Sequence, residues 1–367
     1  MNKKNILFVI PSMQQGGAER VVSLMANYWA NNNIVSIITF DNNASFYKLH
    51  TAVKVYTLNS AQSSFGIFNF IINNIKRTTA YFKYLRIIKP EVIISFTDNA
   101  DVYTVLYNYF LHKPLIITQR TNPCYNTLPK SIKWLPGLIY KSAHAMVVQT
   151  GETIKIYQKL KVKLPRLTSV IYNPLNKDIY TPTAVPQRRN IVLAVGRLYN
   201  IDKHFDKLID MFAACNNNSW QLHIAGSGPD FEFLQHKIES LDLSGCVQLS
   251  GSIKDLKPVY QGAKIFAMSS EFEGFPNALC EAMANGCACI SYNCATGPSE
   301  IIQHGENGIL VEVGHETKFT EELSSLMNNE EKIRQFSMEA YKIQSLLDEN
   351  KIMQQWEQLI DTVLKNK

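Results

Sequence analysis

Residues 271–292 read EFEGFPNALCEAMANGCACISY, a turn, a short helix and then an apolar strand. Asn277–Ala284 follows Pro276, which suits a first helical turn, and Gly286 suits the helix end. Ala288–Tyr292 is apolar at successive positions, as in a strand covered on both faces of a parallel sheet. A helix feeding such a strand is half of a βαβ unit. Glu273 and Glu281 stand on either side of the helix start, where backbone N–H groups and the helix dipole favour an anion. Two readings are open. Glu273 is a favourable charge beside a helix N-terminus and Glu281 a solvated face, or the pair flanks a bound ligand.

The same alternation runs along the whole chain. Strand-like runs occur at Asn5–Ile10, Val35–Phe40, Val53–Thr57, Val92–Phe96, Leu115–Thr118 and Ala145–Gln149. A second set occurs at Ile191–Val195, Gln221–Ala225, Val247–Ser250, Ile265–Met268, Ala288–Tyr292 and Gly308–Val311. Apolar strands spaced by helices predict two doubly wound, Rossmann-like α/β halves. Between them YNPLNKDIYTPTAVPQRRN (172–190) holds Pro174, Pro182 and Pro186 and reads as a linker. Lys351–Leu364 is an amphipathic helix with Ile352, Trp356, Ile360 and Val363 on one face. The crevice at the carboxyl ends of the strands, between the halves, is the expected ligand site.

At 367 residues, 46% hydrophobic and 19% charged, the chain has the composition of a globular protein with room for two cores. No run approaches the roughly 18 apolar residues of a spanning helix. Ile6–Ile10 is short for a signal peptide, so the expected location is cytoplasmic. Cys280, Cys287, Cys289 and Cys294 crowd one helix-strand unit but read as reduced core thiols rather than metal ligands. The net charge of +6 hides an asymmetry. Residues 1–170 carry 20 Lys and Arg against 6 Asp and Glu, +14, and residues 171–367 carry 17 against 25, −8. A cationic half suits an anionic surface: phospholipid, a diphosphate-linked lipid or nucleic acid.

Candidate site residues cluster at strand ends. Gly16 and Gly17 follow the first strand and open a helix, either a close approach to phosphate or sugar or simply a tight turn. The pattern is not GxGxxG, which argues against a dinucleotide. After Ile191–Val195 come Arg197 and Lys203, two cations suited to a diphosphate. Gly226 and Gly228 mark another strand end, passing near a nucleotide or merely turning. D-x-D, HExxH and spaced Cys/His sets are absent from the sequence. A metal holding the diphosphate is therefore not expected, and helix N-termini with Arg and Lys would neutralise the leaving group. No cofactor is expected.

Together GGAER after the first strand, VGRLYNIDKHFDKLI, AGSGPD, SSEFEGFPNALCEAMANG, CATGPSEII and GENGILV resemble the retaining glycosyltransferases of family 4. Their order covers nearly the whole chain. The resemblance implies a GT-B fold, two Rossmann-like domains facing a central cleft. Residues 1–172 would form the acceptor-side domain and 173–345 the nucleotide-sugar domain. Residues 346–367 would be a helix crossing back to the first. Arg197 and Lys203 would hold the donor diphosphate. Gly274, Phe275, Pro276 and Asn277 would bring backbone N–H groups to phosphates and sugar. Glu273 would take sugar hydroxyls, Glu281 the ribose hydroxyls, and Gly16 and Gly17 would line the site from the other domain. Many relatives carry a histidine after the fifth strand, where this chain reads TQRTNP. Arg120 cannot act as a base at neutral pH and is assigned electrostatic or acceptor-binding work. No side-chain base is needed if the leaving phosphate oxygen takes the acceptor's proton.

Two basic-aromatic stretches predict docking on an anionic membrane. Residues 64–90 combine Phe65, Phe68, Phe70, Tyr81 and Phe82 with Lys76, Arg77, Lys83 and Arg86. Residues 129–144 combine Trp134 and Leu135 with Lys130, Lys133 and Lys141. Asp98 and Asn99, at the end of the fourth strand, are weaker acceptor-side candidates. The expected enzyme moves a hexose or N-acetylhexosamine, GalNAc or galactose favoured, from a UDP-sugar. Its acceptor is an undecaprenyl-diphosphate or lipopolysaccharide glycan at the inner face of the bacterial membrane. A sugar-nucleotide epimerase of similar fold is the alternative. A bilobed solute-binding protein is disfavoured by the missing signal peptide. A nucleic-acid binder is disfavoured because no aromatic-basic RNA motif or helix-turn-helix pattern occurs.

Overall fold

The structure, a computed structural model, describes residues 3–59, 67–125, 128–129, 132–181 and 187–366. It divides into two compact units, one of Met1–Pro174 with Asn350–Lys367 and the other of Leu175–Glu349.

The first unit is built on seven strands: β1 (Asn5–Ile10), β2 (Ile34–Thr39), β3 (Lys54–Thr57), β4 (Val92–Phe96), β5 (Leu115–Thr118), β6 (Ala145–Val148) and β7 (Leu167–Val170). Their order is β3-β2-β1-β4-β5-β6-β7, and each pair is parallel. Side chains alternate across a strand, and β1 shows both faces in use. Ile6, Phe8 and Ile10 join the core around Trp29 and Trp356, whereas Leu7 and Val9 join the core around Tyr81 and Tyr140. Sequence reading missed β7. Its four residues LTSV are half polar and half exposed, because an edge strand needs no continuous apolar run.

The C-terminal helix Glu349–Lys365 buries Ile352, Met353, Trp356, Leu359, Ile360 and Val363. Trp356 stacks on Phe96 at 6.5 Å, and Lys4 pairs with Asp361. Burying a side chain of this size contributes about 1.5–3 kcal/mol, which fixes the helix to the first unit.

The second unit holds β8 (Arg189–Val195), β9 (Gln221–Ala225), β10 (Val247–Leu249), β11 (Ala263–Met268), β12 (Ala288–Tyr292) and β13 (Gly308–Val311). The order is β10-β9-β8-β11-β12-β13, again with parallel pairs. In both sheets the strand order reverses once, between β1 and β4 and between β8 and β11. Open parallel sheets take ligands beyond the carboxyl ends of the strands at such a switch point. The four loops there begin at Pro11, Thr97, Gly196 and Ser269. All seven cysteines are free, and the four around β12 are buried, their thiols pushed up by burial.

Candidate active site

In the second unit the switch-point loops bring together residues far apart in sequence. β8 ends in Gly196, after which Arg197 is exposed, its guanidinium 6.0 Å from the Tyr199 ring. The short helix Asn200–Lys203 follows and carries Lys203. From the loop after β11, Glu273 reaches back to it, with Lys203 Nζ 2.5 Å from Glu273 Oε1. Both side chains are mostly buried, so the pair is screened less than a surface ion pair. The Thr296 hydroxyl donates to the Glu273 carbonyl. Gly297 adopts φ 105°, and a Cβ there would meet Pro276 Cδ at 2.5 Å. Thr296 and Gly297 thus brace the turn that presents Glu273, a role sequence reading did not assign although CATGPSEII was in view.

The helix Asn277–Ala284 starts one residue later than its proline suggests, with Pro276 at the N-cap. Two of the expected donors drop out. Proline has no backbone N–H, and the Asn277 N–H is turned back to the Phe275 carbonyl at 2.9 Å. An α-helix cannot satisfy its own first N–H groups, so those of Ala278 and Leu279 have no acceptor within the helix. Phe275 and Pro276 are buried, and Gly274 and Asn277 are half-buried. Glu281 lies one turn into the helix and is buried, its carboxylate accepting from the Tyr260 hydroxyl at 3.0 Å. It is therefore not a solvated face.

Gly226 and Gly228 have a task inside the protein. A Cβ on Gly226 would stand 1.8 Å from the Gly196 carbonyl oxygen, and one on Gly228 2.2 Å from that of Leu198. The two loops are laced by Gly196 N–H to Ala225 at 3.0 Å and Leu198 N–H to Ser227 at 2.9 Å. The glycines let the loop after β9 lie flat under the loop that carries Arg197.

In the first unit Gly16 caps the helix Gly17–Ala30 in extended conformation, φ −176°. The Glu19 carboxylate folds over this start, 2.1 Å from where a Cβ on Gly16 would sit. Tyr47 donates its hydroxyl to the Gly16 carbonyl at 2.9 Å. A carboxylate at the helix start repels phosphate and accepts from hydroxyl donors, so this turn suits sugar better than diphosphate.

Arg120 follows β5 as expected and is buried. Its guanidinium lies 4.4 Å from the Phe96 ring and 6.0 Å from the Trp356 ring. Its Nε donates to Thr118 at 3.3 Å and its Nη1 to Asn173. Burial lowers its pKa to about 9, with Asp101 opposing the drop, so it is a cation at neutral pH. It packs between β4 and the C-terminal helix, while its Nη2 is buried without a hydrogen-bond partner. Asp98 is likewise committed: Gln119 donates to one carboxylate oxygen and the Thr121 hydroxyl to the other, at 3.2 Å. These bonds tie the loops after β4 and β5 together. Asn99 is half-buried on the same helix, Asp98–Asn108. Thr97, which enters that helix, holds φ 78°, an outlier for a β-branched residue.

Burial pushes the Asp101 carboxyl well above the usual carboxylate range; the Ser95 hydroxyl opposes this and Asp98 adds to it. The folded state therefore holds this proton more tightly than the unfolded chain. Its contribution is full below about pH 4, where both states are protonated, and is lost as pH rises toward the folded pKa. Asp101→Asn removes the titration. Its urea midpoint is expected to gain on that of the wild type as pH rises above about 4. A gap independent of pH would contradict the assignment.

The basic-aromatic stretches divide differently from the expectation. Phe65 and Lys130 lie outside the described residues, as do the side chains of Phe68 and Phe70. Within 64–90, Tyr81 is core, 4.8 Å from Tyr107, and Arg77 is held over Tyr103 at 4.5 Å. Phe82 is half-buried beside Tyr107 at 6.0 Å. Exposed aromatics of the first unit include Trp134, 60% exposed, and the pair Tyr109 and Phe110, 73% and 76% exposed. Lys133 and Lys141 are exposed near Trp134 in sequence. Among the described residues, no helix is long and apolar enough to cross a membrane.

Comparison with known proteins gives this geometry its class. A family model described as Glycosyl transferases group 1 matches residues 177–343. The GalNAc-alpha-(1->4)-GalNAc-alpha-(1->3)-diNAcBac-PP-undecaprenol alpha-1,4-N-acetyl-D-galactosaminyltransferase of Campylobacter jejuni is 30% identical over 329 residues, 89% of this chain and 89% of that protein. The lipopolysaccharide 1,6-galactosyltransferase of Salmonella typhimurium is 34% identical over 170 residues, 45% of this chain and 47% of that one. The crystal structure of Anabaena HepE in complex with UDP matches with a TM-score of 0.80 at 18% identity, covering 98% of this chain and 100% of that one. The fold is therefore GT-B, and the activity is glycosyl transfer. The chain belongs to the group 1 glycosyltransferases.

Proposed function

We propose that this enzyme is a retaining, metal-independent transferase moving a hexose or N-acetylhexosamine, GalNAc or galactose favoured, from a UDP-sugar to a lipid-linked or lipopolysaccharide glycan. The observation that carries the reading is the Lys203–Glu273 pair beside the start of helix Asn277–Ala284, at the switch point of the second sheet. One short stretch of surface there offers a cation, a carboxylate and helix-start amides. A nucleoside diphosphate sugar needs that combination: cations and amides for phosphate oxygens, carboxylate for hydroxyls.

In this reading Arg197 and Lys203 take the diphosphate, with Gly274, Phe275 and the helix start supplying N–H groups. Glu273 accepts from donor sugar hydroxyls, and Glu281 takes the ribose hydroxyls. Gly226 and Gly228 act indirectly, by seating the Arg197 loop. The turn at Gly16 and Gly17 suits a sugar. The bond from the anomeric carbon to the β-phosphate oxygen breaks, and the acceptor oxygen bonds to the same face. The acceptor proton passes to the departing phosphate oxygen. The protein positions the reactants and stabilises developing diphosphate charge. Fixed cations and amides supply that charge, which supports metal independence.

The uridine base is supported by the UDP bound to HepE. The acceptor class and the sugar are supported by the Campylobacter and Salmonella relatives, whose names carry an undecaprenol-linked glycan, GalNAc and galactose. The +14 balance of residues 1–170, with exposed Trp134, Tyr109 and Phe110, supports a peripheral position on the anionic inner face of the cytoplasmic membrane.

Nucleotide release from a panel of UDP- and GDP-sugars tests the reading, with undecaprenyl-diphosphate glycans in vesicles with and without anionic lipid. Release is expected only with a UDP-sugar plus acceptor, undiminished by EDTA and faster on anionic vesicles. GDP-sugar preference, EDTA sensitivity or indifference to anionic lipid would each overturn its own part.

A further inference from the structure

The segment Ser269–Glu273 is docked on Asp202–Lys207 by contacts that go beyond the Lys203–Glu273 pair. The Ser269 hydroxyl donates to the Lys203 carbonyl at 2.7 Å, and the Glu271 N–H donates to the Asp202 carbonyl at 3.2 Å. The Glu271 carboxylate adds two more, to Lys207 Nζ at 2.9 Å and to His204 Nε2 at 3.5 Å. Lys207 also reaches Glu316 at 3.3 Å, on the helix Glu316–Met327.

His204 is the hinge of this arrangement. It follows Lys203 directly, closes the helix Asn200–Lys203 and opens the helix Phe205–Ala214. Its backbone is left-handed, φ 49° and ψ 44°. A residue with a Cβ crowds its own carbonyl there, so the surroundings must hold it. What holds its ring is Glu271, and what holds Glu271 is Lys207, two residues further into the next helix.

We infer that Glu271 is a positioning residue for the donor phosphates, fixing the turn at His204 that determines where Lys203 Nζ stands. The inference rests on the donor-site reading above and adds a residue that touches no substrate. Glu271 ties both sides of the site to one frame. Its backbone belongs to the loop that carries Glu273, and its carboxylate contacts His204 and Lys207, one and four residues after Lys203. A displacement of about 1 Å at a binding cation is enough to be felt strongly in affinity and rate.

The test compares Glu271→Ala, Glu271→Gln, Lys203→Ala and the double variant Glu271→Ala with Lys203→Ala in the full-length protein. UDP affinity is measured by calorimetry and the donor KM and kcat by initial rates. Glu271→Ala is expected to weaken UDP binding and raise the donor KM about tenfold, a modest misplacement on the scale of such effects, with kcat affected much less. Glu271→Gln keeps an oxygen acceptor for Lys207 and recovers most of the loss. In the Lys203→Ala background, Glu271→Ala adds less than about twofold, because the two act through one contact.

A lowered melting temperature with unchanged UDP affinity would overturn the inference and leave a merely structural role. So would a tenfold effect that persists without Lys203. If Glu271→Ala does not fold, His204→Ala carries the same comparison and is expected to raise the donor KM only when Lys203 is present. Should Lys203→Ala itself leave UDP affinity unchanged, the donor-site reading fails first, an outcome distinct from failure of the Glu271 link alone.

Discussion

Lys203→Ala is expected to lower transfer at saturating donor and acceptor by about 10²–10³-fold, the range seen when a preorganised charge is removed from a developing anion. Two effects act together. The departing diphosphate loses the cation that meets it, and Glu273 loses its 2.5 Å partner while its side chain stays mostly buried. An unpaired carboxylate in that position repels phosphate and resists the geometry needed for sugar hydroxyls. Lys203→Arg retains the charge but not the compact ammonium seated against Glu273, so it is expected to recover part of the activity only. Steady-state rates with the purified variants check this. A Lys203→Ala enzyme retaining more than about a third of wild-type turnover, far above the oxyanion-type loss, would contradict the role.

The second large effect is expected from Gly226→Ala. The new methyl would stand 1.8 Å from the Gly196 carbonyl oxygen, a backbone atom, and φ 156° is itself foreign to a residue with a Cβ. Neither loop can easily yield, because Gly226 N–H is bonded to Gly251 at 2.8 Å and Gly196 N–H to Ala225 at 3.0 Å. Destabilisation of about 3 kcal/mol or more is expected, at the upper end for overpacking, together with loss of activity as the Arg197 loop is displaced. Gly245→Ala is the control, since a Cβ there meets nothing within 4 Å. It is expected to change stability by less than about 0.5 kcal/mol. Denaturant unfolding of the two variants decides the matter, and equal midpoints would contradict the packing argument.

These two predictions also show what sequence alone could and could not deliver. The strands were legible because a parallel sheet covered on both faces needs continuous apolar runs, and twelve such runs became strands. β7 escaped because an edge strand tolerates polar residues. The strand-end loops were legible as ligand loops, since paired glycines, cations and a Pro-containing helix start carry local signals. Where each side chain goes from those loops was not. Arg120 follows its strand as any exposed cation would, and only the packing of Phe96 and Trp356, more than two hundred residues apart, draws it inward. Gly226 and Gly228 look like ligand glycines, yet the atoms they spare belong to Gly196 and Leu198. Tyr81 and Arg77 were read as surface because aromatic and basic residues on a helix leave its buried face ambiguous. Trp134 kept its expected exposure. Glu271 carried no signal at all, since its meaning lies in Lys207 and His204 across a loop.

The central claim is same-face transfer of a sugar from a UDP donor held by Lys203 and Glu273. The most direct measurement is product analysis of a reaction containing UDP-α-GalNAc or UDP-α-galactose, a lipid-diphosphate glycan and EDTA, with the anomeric configuration of the new linkage read by NMR. The account predicts an α-linked product formed with one UDP released per sugar transferred, its rate lowered about 10²–10³-fold in Lys203→Ala. A β-linked product, or an epimerised nucleotide sugar formed without acceptor, would contradict it.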